Sequence, residues 1–89
     1  MANSPQARKR ALQSEKRRVL HASQRSMVRS SIKKVTKAID AKDIDGARSA
    51  YSEMAPLLDR YAGRGLIHKN KAARHKHRLA QHIKALSEA

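Results

Sequence analysis

Between Ile44 and Tyr61 the chain reads IDGARSAYSEMAPLLDRY, and this stretch decides the fold. Ile44, Ala47, Tyr51, Met54, Leu58 and Tyr61 recur at spacings of three and four, which places them along one stripe of an α-helix. No stretch of the chain alternates apolar and polar residues cleanly, and β-branched residues are few, so strands are not expected. Pro56 sits within the stripe. A proline there frees a backbone carbonyl and kinks or splits a helix; a kink is expected, because the apolar pattern crosses Pro56 unbroken.

The punctuation around this helix defines its neighbours. Asp40-Ala41-Lys42-Asp43 reads as a turn, with Asp43 capping the helix that follows. Gly63-Arg64-Gly65 ends that helix, glycine being the usual C-terminal cap. Upstream, Ser4-Pro5 is a helix start, since Ser is a good N-cap and Pro at the first position sacrifices no hydrogen bond. Neither Gly nor Pro then occurs until Gly46 and Pro56. One helix is therefore expected from about residue 5 to 40, a rod of roughly 54 Å. A second is expected over about 43–62 and a third over about 67–86. In the third, Ala72, Leu79, Ile83 and Leu86 share a face. In the first, Val28, Ile32, Val35 and Ile39 share one, but further back the same side carries Gln24, His21 and Arg17. The expected architecture is all-α: a three-helix bundle, one domain over residues 1–89, with a long basic N-terminal helix extending beyond it.

Eighty-nine residues support one thin core and marginal stability. Against 21 Lys and Arg stand 7 Asp and Glu, a formal net charge of +14. Residues 1–34 hold ten basic residues and one acid, residues 35–61 are close to neutral, and residues 62–89 hold seven basic residues and one acid. A neutral middle flanked by two basic arms repels itself when compact and attracts a polyanion. Cysteine is absent, which removes disulfides, thiolate metal sites and a cysteine nucleophile. Asn3 is followed by Ser4 and Pro5, so it is no glycosylation signal. No apolar run is long enough for a signal peptide or a membrane span, and the cytoplasm is the expected compartment.

The first candidate site is the basic first helix: Arg8, Lys9, Arg10, Lys16, Arg17, Arg18, Arg25, Arg29, Lys33 and Lys34. At 100° per residue these charges point to every side. A helix lying on a membrane surface needs a broad apolar face, and here Leu12 and Val19 share a side with Arg8. Charge all round suits a groove or junction where phosphates approach from several directions. The plain alternative is a solvated arm, but +9 with a single acid is costly to leave unpaired. The second candidate is the side of the third helix carrying Lys71, Arg74 and Arg78, opposite Leu79 and Ile83; alone it also reads as an ordinary solvent face. His68, His75 and His82 recur every seven residues, about 10.5 Å apart along a helix, too far to share an ion. They are expected at the edge of the core or on RNA. Asp40, Asp43 and Asp45 cluster at a turn, where capping explains them, and no catalytic loop or nucleophile motif occurs. No enzyme activity, metal or cofactor is expected.

Single-strand binders stack bases on aromatic side chains, yet the only aromatics are Tyr51 and Tyr61, both on the core stripe. Sequence-reading DNA modules add a zipper, a zinc finger or a helix-turn-helix, none of which is present. Recognition of folded RNA by shape and phosphate pattern remains. The class to weigh against it is a nucleoid-type protein that compacts DNA without sequence preference.

Two stretches carry a family resemblance. Ala7 to Lys16 (ARKRALQSEK) together with Arg25 to Lys34 (RSMVRSSIKK) resembles the N-terminal helix of the bacterial S-twenty family of small-subunit ribosomal proteins. Gly65 to Lys76 (GLIHKNKAARHK) resembles that family's signature at the start of its third helix. The resemblance spans essentially the whole chain. It implies a structural constituent of the small ribosomal subunit that binds small-subunit ribosomal RNA directly and helps order it during assembly. It implies a monomer within the ribosome, other small-subunit proteins only peripheral, no membrane and no small-molecule substrate. By position in the first motif it implies RNA contacts at Arg8, Lys9, Arg10, Gln13, Arg18, Arg25, Ser26, Arg29, Lys33 and Lys34. In the second it implies them at His68, Lys69, Asn70, Lys71, Arg74 and Lys76; Lys16, Arg17 and Arg78 join the set by charge alone. The chain departs from the family's pattern at His21, where Asn is frequent, at Ser30, where Thr is common, and at Lys42, where the turn calls for Gly.

Overall fold

A computed structural model describes residues 4–88, and the ends of the expected domain at 1–3 and 89 lie outside the described residues. Helix α1 runs Pro5–Asp40, α2 Ile44–Gly63 and α3 Lys69–Glu88. The hydroxyl of Ser4 accepts a hydrogen bond from the Ala7 N–H at 3.2 Å and closes the first turn of α1. α2 is continuous across Pro56. The carbonyl that Pro56 cannot serve belongs to Ser52, and both residues are exposed, so the missing donor falls on the solvent side of the helix.

The two connections use the same device. After α1, the Lys42 N–H donates to the Ile39 carbonyl and the Asp43 N–H to the Ala38 carbonyl. After α2, the Gly65 N–H donates to Ala62 and the Leu66 N–H to Tyr61. Each pattern is a Schellman cap, which requires a left-handed residue at its centre. Gly65 takes φ +80° there at no steric cost, whereas Lys42 is held at φ +57° with a Cβ crowding the following carbonyl. The departure at Lys42 thus leaves the turn intact but strained. Lys42→Gly is expected to stabilise the fold by about 0.5–1 kcal/mol, the relieved crowding outweighing the added freedom of the unfolded chain. Thermal unfolding checks it; a lower midpoint in the variant would mean that the Lys42 side chain contributes more than its backbone costs.

α3 begins two residues later than its periodicity implies. The N–H groups of Leu66 and Ile67 both turn back to the Tyr61 carbonyl, and both side chains pack against the core. The start of α3 therefore passes to His68, whose ring Nδ1 accepts from the Asn70 N–H at 3.0 Å and whose carbonyl accepts from Ala72.

The core is a single cluster of Val28 and Val35 from α1, Ala47, Met54, Leu58 and Tyr61 from α2, and Ala72, Leu79 and Ile83 from α3. No polar or charged residue is buried among the described residues. Ile32, Ile39, Tyr51 and Leu66 lie half-buried at its margin. Two links fasten α3 to α2: the Tyr51 hydroxyl donates to the Lys76 carbonyl at 3.2 Å, and Lys76 Nζ pairs with Asp59 at 2.9 Å. Over Arg8 to Ser23 every residue of α1 is exposed, including Leu12 at 64% and Val19 at 59%, so that half of the helix adds nothing to the core. The shape follows, at 64 × 22 × 16 Å with a radius of gyration of 18.0 Å, against about 12 Å for a compact chain of this length. The fold is the all-α three-helix bundle with a long first helix projecting from it.

Candidate nucleic-acid interface

A cleft of about 470 Å³ lies between α1 and the start of α3. Arg25, Arg29 and Lys33 stand along its first wall. Their spacing of four residues sets them on one side of α1 in steps of about 6 Å. His68, Lys71 and His75, spaced three and four apart on α3, form the opposite wall, and Val28, Ile32, Leu58, Leu66 and Ile67 make up the floor. The long separation between the two stretches of sequence is closed by the α2 hairpin, which returns the start of α3 to the middle of α1.

No acid balances these walls. The ion pairs among the described residues are Arg18–Glu15 on the projecting helix and Lys76–Asp59 between α2 and α3, both outside the cleft. His75 registers the imbalance. Burial pushes its pKa below the usual histidine value of 6.5, and the charges of Lys71, Arg78 and Arg74 push it the same way. A folded protein with a depressed histidine binds fewer protons than its unfolded chain, so stability is lost as pH falls through the range just below 6.5. Lowering the pH from 7.5 to 5.5 is expected to lower the thermal midpoint of the free protein, and His75→Gln to remove part of that drop. An identical pH dependence in parent and variant would contradict it. Polyanion binding acts in the reverse sense, because a phosphate in the cleft favours charged His75.

The other expected site residues fall into distinct places. Arg8, Lys9, Arg10, Gln13, Lys16, Arg17 and Arg18 are all exposed on the projecting half of α1. Ser26 and Lys34 are exposed as well, Lys34 beside Met27 and Glu53 on the flank facing α2 rather than in the cleft. Lys69, Asn70, Arg74 and Arg78 are exposed on α3. Lys76 differs from them: Asp59 holds it, and that hydrogen bond raises its pKa. His75, expected with His68 and His82 at the edge of the core or on RNA, lies half-buried in the wall, while Arg64 was not among the expected site residues. Arg64 sits 5.9 Å above the Tyr61 ring and extends the basic surface towards Leu20, His21 and Arg25 through a second hollow.

Among the described residues no three His, Asp or Glu side chains gather around a common point, and no helix is long and apolar enough to cross a membrane. The family model described as "Ribosomal protein S20" matches residues 2–84. Relatives named small ribosomal subunit protein bS20 match over the whole chain. The protein of Stutzerimonas stutzeri is 67% identical over 89 residues, with 97% of its own length covered. That of Azotobacter vinelandii is 65% identical with 98% covered, and that of Pseudomonas aeruginosa 63% identical with 98% covered. The two motifs that face each other across the cleft thus lie within a match running almost end to end, to a family of ribosomal proteins and not of enzymes, and the chain belongs to the ribosomal protein S20 family.

Proposed function

We propose that this protein is a structural constituent of the small ribosomal subunit, in the cytoplasm, that binds small-subunit ribosomal RNA directly and orders it during assembly. The observation that carries the reading is the cleft, where cations from two distant basic segments face each other without an acid between them. Such a surface is costly until phosphates neutralise it. The names of the relatives support the same reading. Arg25, Arg29, Lys33, His68 and Lys71 grip RNA at the cleft. Arg74, Arg78, Lys69 and Asn70 prolong the grip along α3, and the residues from Arg8 to Arg18 carry it outwards along α1. Lys76 contributes little, its charge being matched by Asp59. A hydroxyl-radical footprint on naked small-subunit RNA tests the proposal. A few discrete protected segments are expected; uniform protection along the RNA would reject it.

The projecting half of α1 follows from the same electrostatics. Residues 5 to about 27 lack an apolar stripe continuous with the core, and like charges one turn apart, such as Arg25 and Arg29, disfavour the helix. Isolated helices are marginal in water. Without RNA this segment is expected to open readily and to become firmly helical when phosphates neutralise it, at an ordering cost deducted from affinity. Amide exchange on the free protein is expected to show protection from about Val28 to Leu86 and little before it. Strong protection from Ala7 to Gln24 would instead mean a preformed arm that docks rigidly.

A further inference from the structure

The cleft has a feature that phosphate binding alone leaves unexplained, namely its aliphatic floor. Ile32, Leu66 and Ile67 are only half-buried and line the cleft bottom between the cationic walls. An A-form duplex presents a convex backbone whose base faces are covered by stacking. Such a backbone satisfies the rims and leaves the floor wet. An unpaired nucleotide turned out of its stack is amphipathic in the matching sense, with an apolar base face beside an anionic phosphate. The cleft volume of about 470 Å³ lies within the range of pockets that enclose small ligands.

We infer that the cleft is a socket for one unstacked nucleotide of the RNA, its base on the Ile32–Leu66–Ile67 floor and its phosphate between Arg29 and Lys71. The inference rests on the RNA-binding reading and adds to it the conformation of the RNA that is recognised. His75, half-buried in the wall, offers a flat ring for stacking and ring nitrogens that can hydrogen-bond a base edge. The chain lacks the exposed aromatic platforms of single-strand binders, so the socket takes one base rather than a run of them.

The test uses the full-length protein and two RNA hairpins of equal length, one fully paired and one carrying a single extrahelical adenosine. The bulged hairpin is expected to bind about tenfold more tightly at equal salt, the scale of one base stacked on a protein surface. In Ile67→Ser the ratio is expected to fall towards one, with the helical circular-dichroism signal reporting that the variant is folded. Because that variant loses some packing, 2-aminopurine at the bulge of the hairpin provides a second reading on the parent protein, its emission changing as the base leaves water. Equal affinity for both hairpins, with steep salt dependence for each, would overturn the socket and leave the phosphate grip standing. A tenfold preference that persists in folded Ile67→Ser would also overturn it, by tracing the preference to the flexibility of the bulged RNA. Failure to bind either hairpin would remove the RNA-binding reading together with the socket.

Discussion

Leu58→Ala is expected to destabilise the protein by about 2–5 kcal/mol and to leave it substantially unfolded at physiological temperature. Leu58 is fully buried on α2, the helix that packs against both others, and it also closes the bottom of the cleft. Removing its three outer carbons forfeits their burial and leaves a void that three helices cannot all collapse to fill. A chain of this length has a total stability of about 4–13 kcal/mol, and a net charge of +14 pushes it towards the lower end. Each kcal/mol corresponds to about 4–8 °C in the unfolding midpoint of so small a domain. Leu58→Met, which conserves volume, is expected to cost under about 1.5 kcal/mol. Ile83→Ala, on α3, is expected to behave like Leu58→Ala but more mildly, because Ile83 retains some exposure. Chemical denaturation at low salt, with and without RNA, checks all three. Added RNA is expected to raise every midpoint, since the folded chain, with its cations gathered at the cleft, binds it more tightly than the unfolded one.

The second large effect is on binding. Replacing Arg25, Arg29 and Arg74 together by Ala is expected to weaken RNA binding at least about tenfold. It is also expected to lower the slope of log affinity against log salt by about 2–3, near one for each phosphate no longer neutralised. Arg25 and Arg29 stand in the cleft wall and Arg74 is exposed one turn beyond Lys71. None of the three is in the hydrophobic core, so the melting curve of the free protein is expected to hold or to rise slightly as repulsion is relieved. The two large effects therefore separate: Leu58→Ala acts through folding with the salt slope unchanged, the triple variant through the slope with folding unchanged. A triple variant with the parental slope would refute the phosphate grip.

Helix positions and the core stripe of α2 were legible in the sequence because both are local. Ala47, Met54, Leu58 and Tyr61 occupy one face by spacing alone, and all four are buried. The end of the core stripe in α1 was legible too, since the first polar residues on that face coincide with the place where burial stops at Val28. What the sequence withheld were the relations between distant segments. The cleft exists because the α2 hairpin returns the His68–His75 wall to the level of Arg25–Lys33, and no periodicity encodes that register. Leu66 and Ile67 fall in a connection, where apolar residues carry no repeat, so neither their place in the core margin nor the late start of α3 followed from pattern. Lys76 read as one more cation of the basic arm, and its pairing with Asp59, seventeen residues away, is a relation that no pattern encodes. Lys42 read as a departure from the expected glycine, and only the backbone angle reveals that the turn tolerates it under strain.

The central claim, that the basic walls are shaped for folded small-subunit RNA and not for polyanions at large, is tested most directly by competition. Labelled small-subunit RNA bound to the full-length protein at about 0.15 M salt is challenged with unlabelled RNA of the same sequence or with random duplex DNA. A general polycation responds to charge density alone and releases the label to either competitor at similar phosphate concentration. Two walls set to an RNA surface are expected to release it to RNA at concentrations at least about tenfold lower than to DNA. Equal displacement by the two would contradict the account and favour a DNA-compacting protein.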